Sequence, residues 1–341
     1  MSDISIRKAG KAGRITLARP EALNALTYDM VRQIHEVLDL WGSDPTVALV
    51  VVDAEGERAF CSGGDIAEMY ATATRGDFGY GRRFWADEYR LNAAIVEYPK
   101  PIVTFLQGFT MGGGVGVGCL GSHRIVGESS KIAMPECGIG LVPDVGGSMI
   151  LAKAPGHLGE YLGMTGARMG PGDAIYAGFA DSYIPEASWA DAISKLEETG
   201  DAAVLTGFME SPPKSDLKAH RPEIDKVFGW ETPRDIIENL DELESALAER
   251  ATKALTSNSP LSMACALEII RRVRLNPEIR SALEQEYRFT WRSAEDADFI
   301  EGIRAQIIDK DRNPRWKHEG LTDVSQAEVD AMLAPISGKL W

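Results

Sequence analysis

Two short runs constrain this chain more than any other feature. VALVVVDA at 47–54 and KPIVTFLQG at 100–108 are apolar almost without interruption, and largely β-branched at their centres. A strand with no polar beat is buried on both faces, the mark of a parallel sheet covered by other elements. Residues 13–18, GRITLA, alternate like a further strand. RPEALNALT follows as a loop, with Thr27 placed to cap a helix. On that helix Met30, Ile34, Val37, Leu38 and Trp41 share one face, and Asp44-Pro45 ends it. Strand, loop, helix, strand recurs, so the fold class is α/β.

Each buried run leads into glycine. EGERAFCSGGD follows the first and opens a helix expected from Asp65; MGGGVGVGCLG follows the second, and HRIVGE and KIAM are short strand-like pieces beyond it. Around 210–225 the texture turns polar with three prolines, which reads as a linker. Beyond it 236–250, MACALEIIRRVR (263–274) and ALEQEYRFTWR (282–292) are patterned as helices. The boundary is placed near 215, dividing a core of residues 1–215 from a helical region of residues 216–341. There is no tandem repeat or low-complexity segment.

Composition narrows the function classes. The 341 residues carry a formal net charge of −15, which disfavours binding to nucleic-acid backbones but leaves room for a local basic pocket around a small phosphate. Cys61, Cys119, Cys137 and Cys265 show no CxxC spacing and read as buried free thiols in a reducing compartment. MSDISIRKAG has no apolar targeting core and no run of about 18 apolar residues occurs, so a cytoplasmic protein without membrane spans is expected. The five histidines are scattered and Ser62 lacks a GxSxG context, so neither a metal site nor a Ser-His-Asp mechanism is expected.

The chemistry concentrates in three places. AFCSGGD (59–65) and GFTMGGG (108–114) are loops whose glycines let backbone N–H groups approach a ligand, and two such groups aimed at one point make an oxyanion hole. Taken singly, each loop is equally a tight turn. The third place is KIAMPECGIGLVPDVGGS (131–148), where Glu136 and Asp144 each follow a proline in a run that otherwise reads as buried wall. An apolar surround disfavours the ionised form and raises the pKa of one or both acids, and two such acids can divide general acid and base work. Read plainly, Glu136 is a loop acid, Asp144 caps a turn before VGG, and Glu88 in ADEYRLN lies on a solvated helix face. A rival motif, Gly116 to Gly121, matches GxGxxG with Glu136 twenty residues on. It falls inside an expected helix rather than in the turn that opens one, which argues against a dinucleotide site.

Together, AFCSGGDI, QGFTMGGGVG and MPECGIGLVPDVGG resemble the enoyl-CoA hydratase/isomerase (crotonase) superfamily. RPEALNALT, DEYRLN and DFIEGIRAQIIDKDRNPRW (298–316) are similar to its 3-hydroxyisobutyryl-CoA hydrolase branch. The resemblance covers nearly the whole chain. It implies a spiral of β-β-α turns with a helical C-terminal region, and an acyl-CoA thioester substrate whose CoA is part of the substrate, so that no metal or redox cofactor is needed. The backbone N–H groups of Gly64 and Gly113 would be the oxyanion donors, and Glu136 and Asp144 the catalytic pair. Glu88 would line the acyl pocket. The second glutamate of the hydratases would fall where this chain has Gly116, and Asp144 is the acid the hydrolase branch adds. An enoyl-CoA hydratase or isomerase and a catalytically inactive acyl-CoA-binding protein stay as alternatives. The superfamily often assembles through its C-terminal helices, which leaves a homo-oligomer open.

Overall fold

The computed structural model describes residues 3–341 and resolves them into two compact units. The first comprises the chain up to Asp65, Arg90–Ala133 and Arg168–Asp216. The second comprises Ile66–Tyr89, Met134–Ala167 and Leu217–Trp341.

Among the described residues, all nine strands lie in the first unit: β1 (Ile4–Ala9), β2 (Ala12–Leu17), β3 (Leu49–Ala54), β4 (Ala59–Cys61), β5 (Ile102–Phe105), β6 (Phe109–Met111), β7 (His123–Val126), β8 (Lys131–Ala133) and β9 (Ser182–Tyr183). They form a six-stranded sheet in the order β1-β2-β3-β5-β7-β9 and a three-stranded sheet in the order β4-β6-β8. Only the β1–β2 pair is antiparallel. Three times in succession the chain gives one strand to the larger sheet and the next to the smaller, as β3/β4, β5/β6 and β7/β8, so the path is a spiral. The uninterrupted apolar runs are required by this geometry. Leu49 and Val51 of β3 pack with Val103, Phe105 and Ile125, beneath Ala192 and Leu196 of the helix Trp189–Thr199, while Val50 and Val52 are buried on the other side of the strand. Burying each such side chain contributes about 1.5–3 kcal/mol.

The helix expected after Thr27 spans Tyr28–Gly42, with the Thr27 hydroxyl accepting from the Met30 N–H at 3.2 Å and the five expected residues buried. The first two glycine loops lie side by side, because β4 and β6 pair. The helix Gly113–Gly118 sits so close to β4 that a Cβ on Gly114 would lie 2.3 Å from the Cys61 carbonyl oxygen. Gly114→Ala must therefore push strand and helix apart. It should cost about 1–3 kcal/mol, read as a lower denaturation midpoint in urea. A midpoint equal to the parent would mean that this approach is not needed.

The second unit is helical. Its central helix, Pro260–Leu275, is buried nearly all round, as a helix enclosed by others must be. The polar 210–225 segment is only partly a linker: Asp216–Phe228 is a helix with Pro222 inside it. Proline costs that helix a backbone hydrogen bond. Burial of Leu217, Ile224, Val227 and Phe228, and an Arg221–Asp225 ion pair one turn apart, offset the loss. Only Leu217 and Ile224 of these four fall within 210–225, so its polar composition hid the helix.

Candidate active site

Four buried acids gather in the second unit. Glu88 comes from the helix Gly79–Val96, Glu136 from a short 3-10 turn Glu136–Ile139, Asp144 from the loop after it, and Glu286 from the helix Ile279–Asp296. Their exposures are 3%, 4%, 4% and 0%. Glu136 is therefore not an exposed loop acid, and Glu88 is not on a solvated face.

The chain around Glu136 is pinned at several points. The Glu136 carbonyl accepts from Leu141 N–H at 3.0 Å, and the Cys137 carbonyl accepts from Ser259 N–H at 2.9 Å. Asp144 is the first residue of a tight reversal closed by Gly147 N–H donating to the Asp144 carbonyl at 2.7 Å. Within it Val145 has φ 53° and Gly146 φ 82°. Positive φ is ordinary for glycine but costly for a β-branched residue. The Asp144 side chain does not serve only as a turn cap: the Tyr89 hydroxyl, fully buried, donates to its Oδ2 at 2.7 Å.

Glu286 is the acid that sequence reasoning missed. Its Oε2 accepts from Gly146 N–H at 2.9 Å, and its Oε1 accepts from Ser148 N–H at 3.1 Å and from the Ser148 hydroxyl. A signal for it exists. Ile279, Leu283, Glu286, Thr290 and Ser293 recur at helical spacing and all are buried, so the glutamate occupies a core position of its helix. Nor does the sequence reading give Tyr89 a role, although it adjoins Glu88 in DEYRLN.

Burial governs the electrostatics. It raises Glu88 well above the usual carboxylate range, with the charge of Asp144 adding to the effect. It raises Glu136 well above that range too, again with Asp144 contributing. Asp144 is pushed up to about 7, the Tyr89 hydrogen bond acting in the opposite sense. Glu286 is pushed up to about 8 despite its three donors. The Tyr89 phenol is raised well above its ordinary value, so it stays a donor. Two carboxylate oxygens, Glu88 Oε1 and Glu136 Oε2, are buried without a hydrogen-bond partner among the described residues. Buried polar atoms are rarely left so. Acids whose burial favours the neutral form, beside one pushed up to about 7, are what general acid–base chemistry requires.

The glycines named as oxyanion donors lie in the first unit. Gly64 faces Leu26 in a parallel bridge made by Leu26 N–H to the Gly63 carbonyl and Asp65 N–H to the Leu26 carbonyl. In an extended chain this turns the N–H of Gly64 to the opposite side. Gly113 is the first residue of the helix Gly113–Gly118, entered through Gly112 at φ 50°, ψ −123°, and first-turn N–H groups have no partner within their own helix. Gly116 and Gly118 lie inside that helix, as expected, and not in a dinucleotide-binding turn. All four cysteines are buried.

Comparison with known proteins gives the family. The family model for enoyl-CoA hydratase/isomerase matches residues 12–333, and the chain belongs to that family, with the crotonase α/β spiral and a helical C-terminal region. Within it the chain is 37% identical over 348 residues to the 3-hydroxyisobutyryl-CoA hydrolase, mitochondrial, of Danio rerio, covering 96% of this chain and 88% of that protein. It is 35% identical over 339 residues to the human protein of the same name, covering 96% and 87%. Two solved structures are also similar. An enoyl-CoA hydratase from Rhodobacter sphaeroides shares 54% identity with a TM-score of 0.94, covering 98% of each chain. A carnitinyl-CoA dehydratase from Mycobacterium thermoresistibile shares 40% identity with a TM-score of 0.96, covering 100% of this chain and 99% of that one. Among the described residues no helix is long and apolar enough to cross a membrane.

Proposed function

We propose that this chain hydrolyses a short-chain 3-hydroxyacyl-CoA thioester, with 3-hydroxyisobutyryl-CoA of valine breakdown as the substrate. The observation that carries the reading is the pair Glu136 and Asp144, both buried and both shifted upward, with Tyr89 donating to Asp144. Near neutral pH such a pair holds one proton, with the negative charge favoured on Asp144 because of that hydrogen bond. Once the shared proton has passed to Asp144, Glu136 activates a water or attacks the thioester carbonyl itself. Stabilising the oxyanion that develops is the role that the family resemblance gives to the N–H groups of Gly64 and Gly113. Collapse breaks the C–S bond, and the proton held by Asp144 goes to the departing thiolate. Where Glu136 attacks, water then cleaves the resulting anhydride. The products are a free acid and CoA.

A second reading, hydration of an enoyl-CoA, is favoured by the names of the two similar solved structures. Against it stands Gly116. It occupies the place at which the resemblance to hydratases calls for a second glutamate, and it is a buried helix residue with no side chain. Adding water across a double bond needs acid–base work at two carbons. A panel of 3-hydroxyacyl, enoyl and saturated CoA thioesters, followed both by thiol release and by loss of enoyl absorbance, separates the readings. Thiol release without hydration of crotonyl-CoA is expected. Efficient hydration without free thiol would replace the hydrolase reading, and binding with neither signal would leave an inactive acyl-CoA-binding protein.

The acyl group is tested through Glu88, whose unpartnered Oε1 suits a 3-hydroxyl. Glu88→Ala should slow 3-hydroxyisobutyryl-CoA by about 0.5–1.5 kcal/mol of transition-state stabilisation, and isobutyryl-CoA far less. An unchanged ratio of the two rates removes Glu88 from substrate recognition.

A further inference from the structure

Glu286 lies outside the catalytic roles assigned above, and three bonds join it to the turn that carries Asp144. We propose that Glu286 is a positioning residue: its carboxylate, by accepting from Gly146 N–H, Ser148 N–H and the Ser148 hydroxyl, holds the 144–148 reversal in the one conformation that presents the Asp144 carboxyl to Tyr89. This rests on the reading that Asp144 works in thioester hydrolysis.

Val145 sits at φ 53°, where a β-branched residue does not rest unaided. Strain of this kind persists only where the surroundings over-determine it. The surroundings here are the bonds on the three residues that follow, Gly146, Gly147 and Ser148. Gly147 closes the turn from within through the Asp144 carbonyl, and Glu286 fixes it from outside through both of its oxygens. Each oxygen of this carboxyl accepts from a backbone N–H, which a carboxyl oxygen does whether or not it carries the proton. An amide in its place has one accepting end, and its NH2 must then face an N–H in either orientation. A glutamine is nearly the same shape, yet it cannot hold the turn. Glu286 sits on a buried helix position with no exposure, so no water replaces it cheaply.

The experiment is a cycle on the full chain, with 3-hydroxyisobutyryl-CoA as substrate and thiol release as the readout. The variants are Glu286→Gln, Ser148→Ala, Asp144→Asn and the double variant Glu286→Gln with Asp144→Asn. Circular dichroism and thermal melts report folding. Glu286→Gln is expected to lower kcat about 10–100-fold with KM within about threefold, and Ser148→Ala, which removes one of three donors, about 3–10-fold. In the double variant the loss should equal that of Asp144→Asn alone within about threefold, because a residue that acts through another has nothing left to position. A purely structural role would instead multiply the two losses, and that result overturns the proposal. So does a wild-type kcat in Glu286→Gln while Asp144→Asn is crippled. A wild-type kcat in Asp144→Asn removes the catalytic reading of Asp144 and this proposal with it. Should Glu286→Gln fail to fold, Ser148→Ala alone and on the Asp144→Asn background decides in the same way.

Discussion

Glu136→Gln is expected to cut thioester hydrolysis by about two to four orders of magnitude, while acyl-CoA affinity stays within a factor of about three. Glutamine keeps the volume of the side chain, which matters in a residue 4% exposed, and removes the only proton-transfer function it has. The loop should survive the change. What holds it are backbone bonds, from Leu141 N–H to the Glu136 carbonyl and from Ser259 N–H to the Cys137 carbonyl, and neither uses the carboxyl. Burial favours the neutral form of this acid, and glutamine is neutral too, so the variant should melt no lower than the parent. Single-turnover thiol release separates chemistry from product release, and calorimetric titration with a non-hydrolysable thioether analogue gives affinity. Turnover within about threefold of the parent would take Glu136 out of the mechanism.

The second large effect is at Asp144, where activity and stability should move in opposite directions. Its folded-state value of about 7 lies above the ordinary 3.8. An acid raised on folding binds more protons in the native state, so its contribution to stability is complete below about pH 4 and is lost as pH rises through about 7. Above that pH the ionised, buried carboxylate costs about 4 kcal/mol, taken from the difference between the two values. Asp144→Asn removes the charge and keeps an oxygen to accept from Tyr89. It should therefore raise stability at pH 8 by about 1–4 kcal/mol, with the gain vanishing near pH 4. Turnover of the same variant should fall at least about a hundredfold. In the parent, turnover should decline as pH drops below about 7, because the pair must carry one negative charge before it can take a proton. Urea unfolding at pH 4, 6 and 8 measures the first effect, and a pH–rate profile the second. A variant no more stable than the parent at pH 8 would show that Asp144 is well solvated when ionised.

Much of this was written locally. The apolar runs at 47–54 and 100–108 dictated strands buried on both faces, since a strand with no polar residues has no side to offer water. The face of Met30, Ile34, Val37, Leu38 and Trp41 dictated its helix, and Thr27 its start. Two prolines and a set of glycines marked where Glu136 and Asp144 leave regular structure. In each case the signal lies within a few residues, because backbone preference and side-chain periodicity are short-range properties.

The tertiary structure alone decided what those acids are chemically. Tyr89 reaches Asp144 across 55 residues, and Glu286 reaches Gly146 across 140. The unit that contains them is assembled from Ile66–Tyr89, Met134–Ala167 and Leu217–Trp341, segments that nothing in their order along the chain ties together. A carboxyl group has no raised pKa of its own. The shift comes from the water removed around it and from the charges brought beside it, and both are set by packing between distant segments.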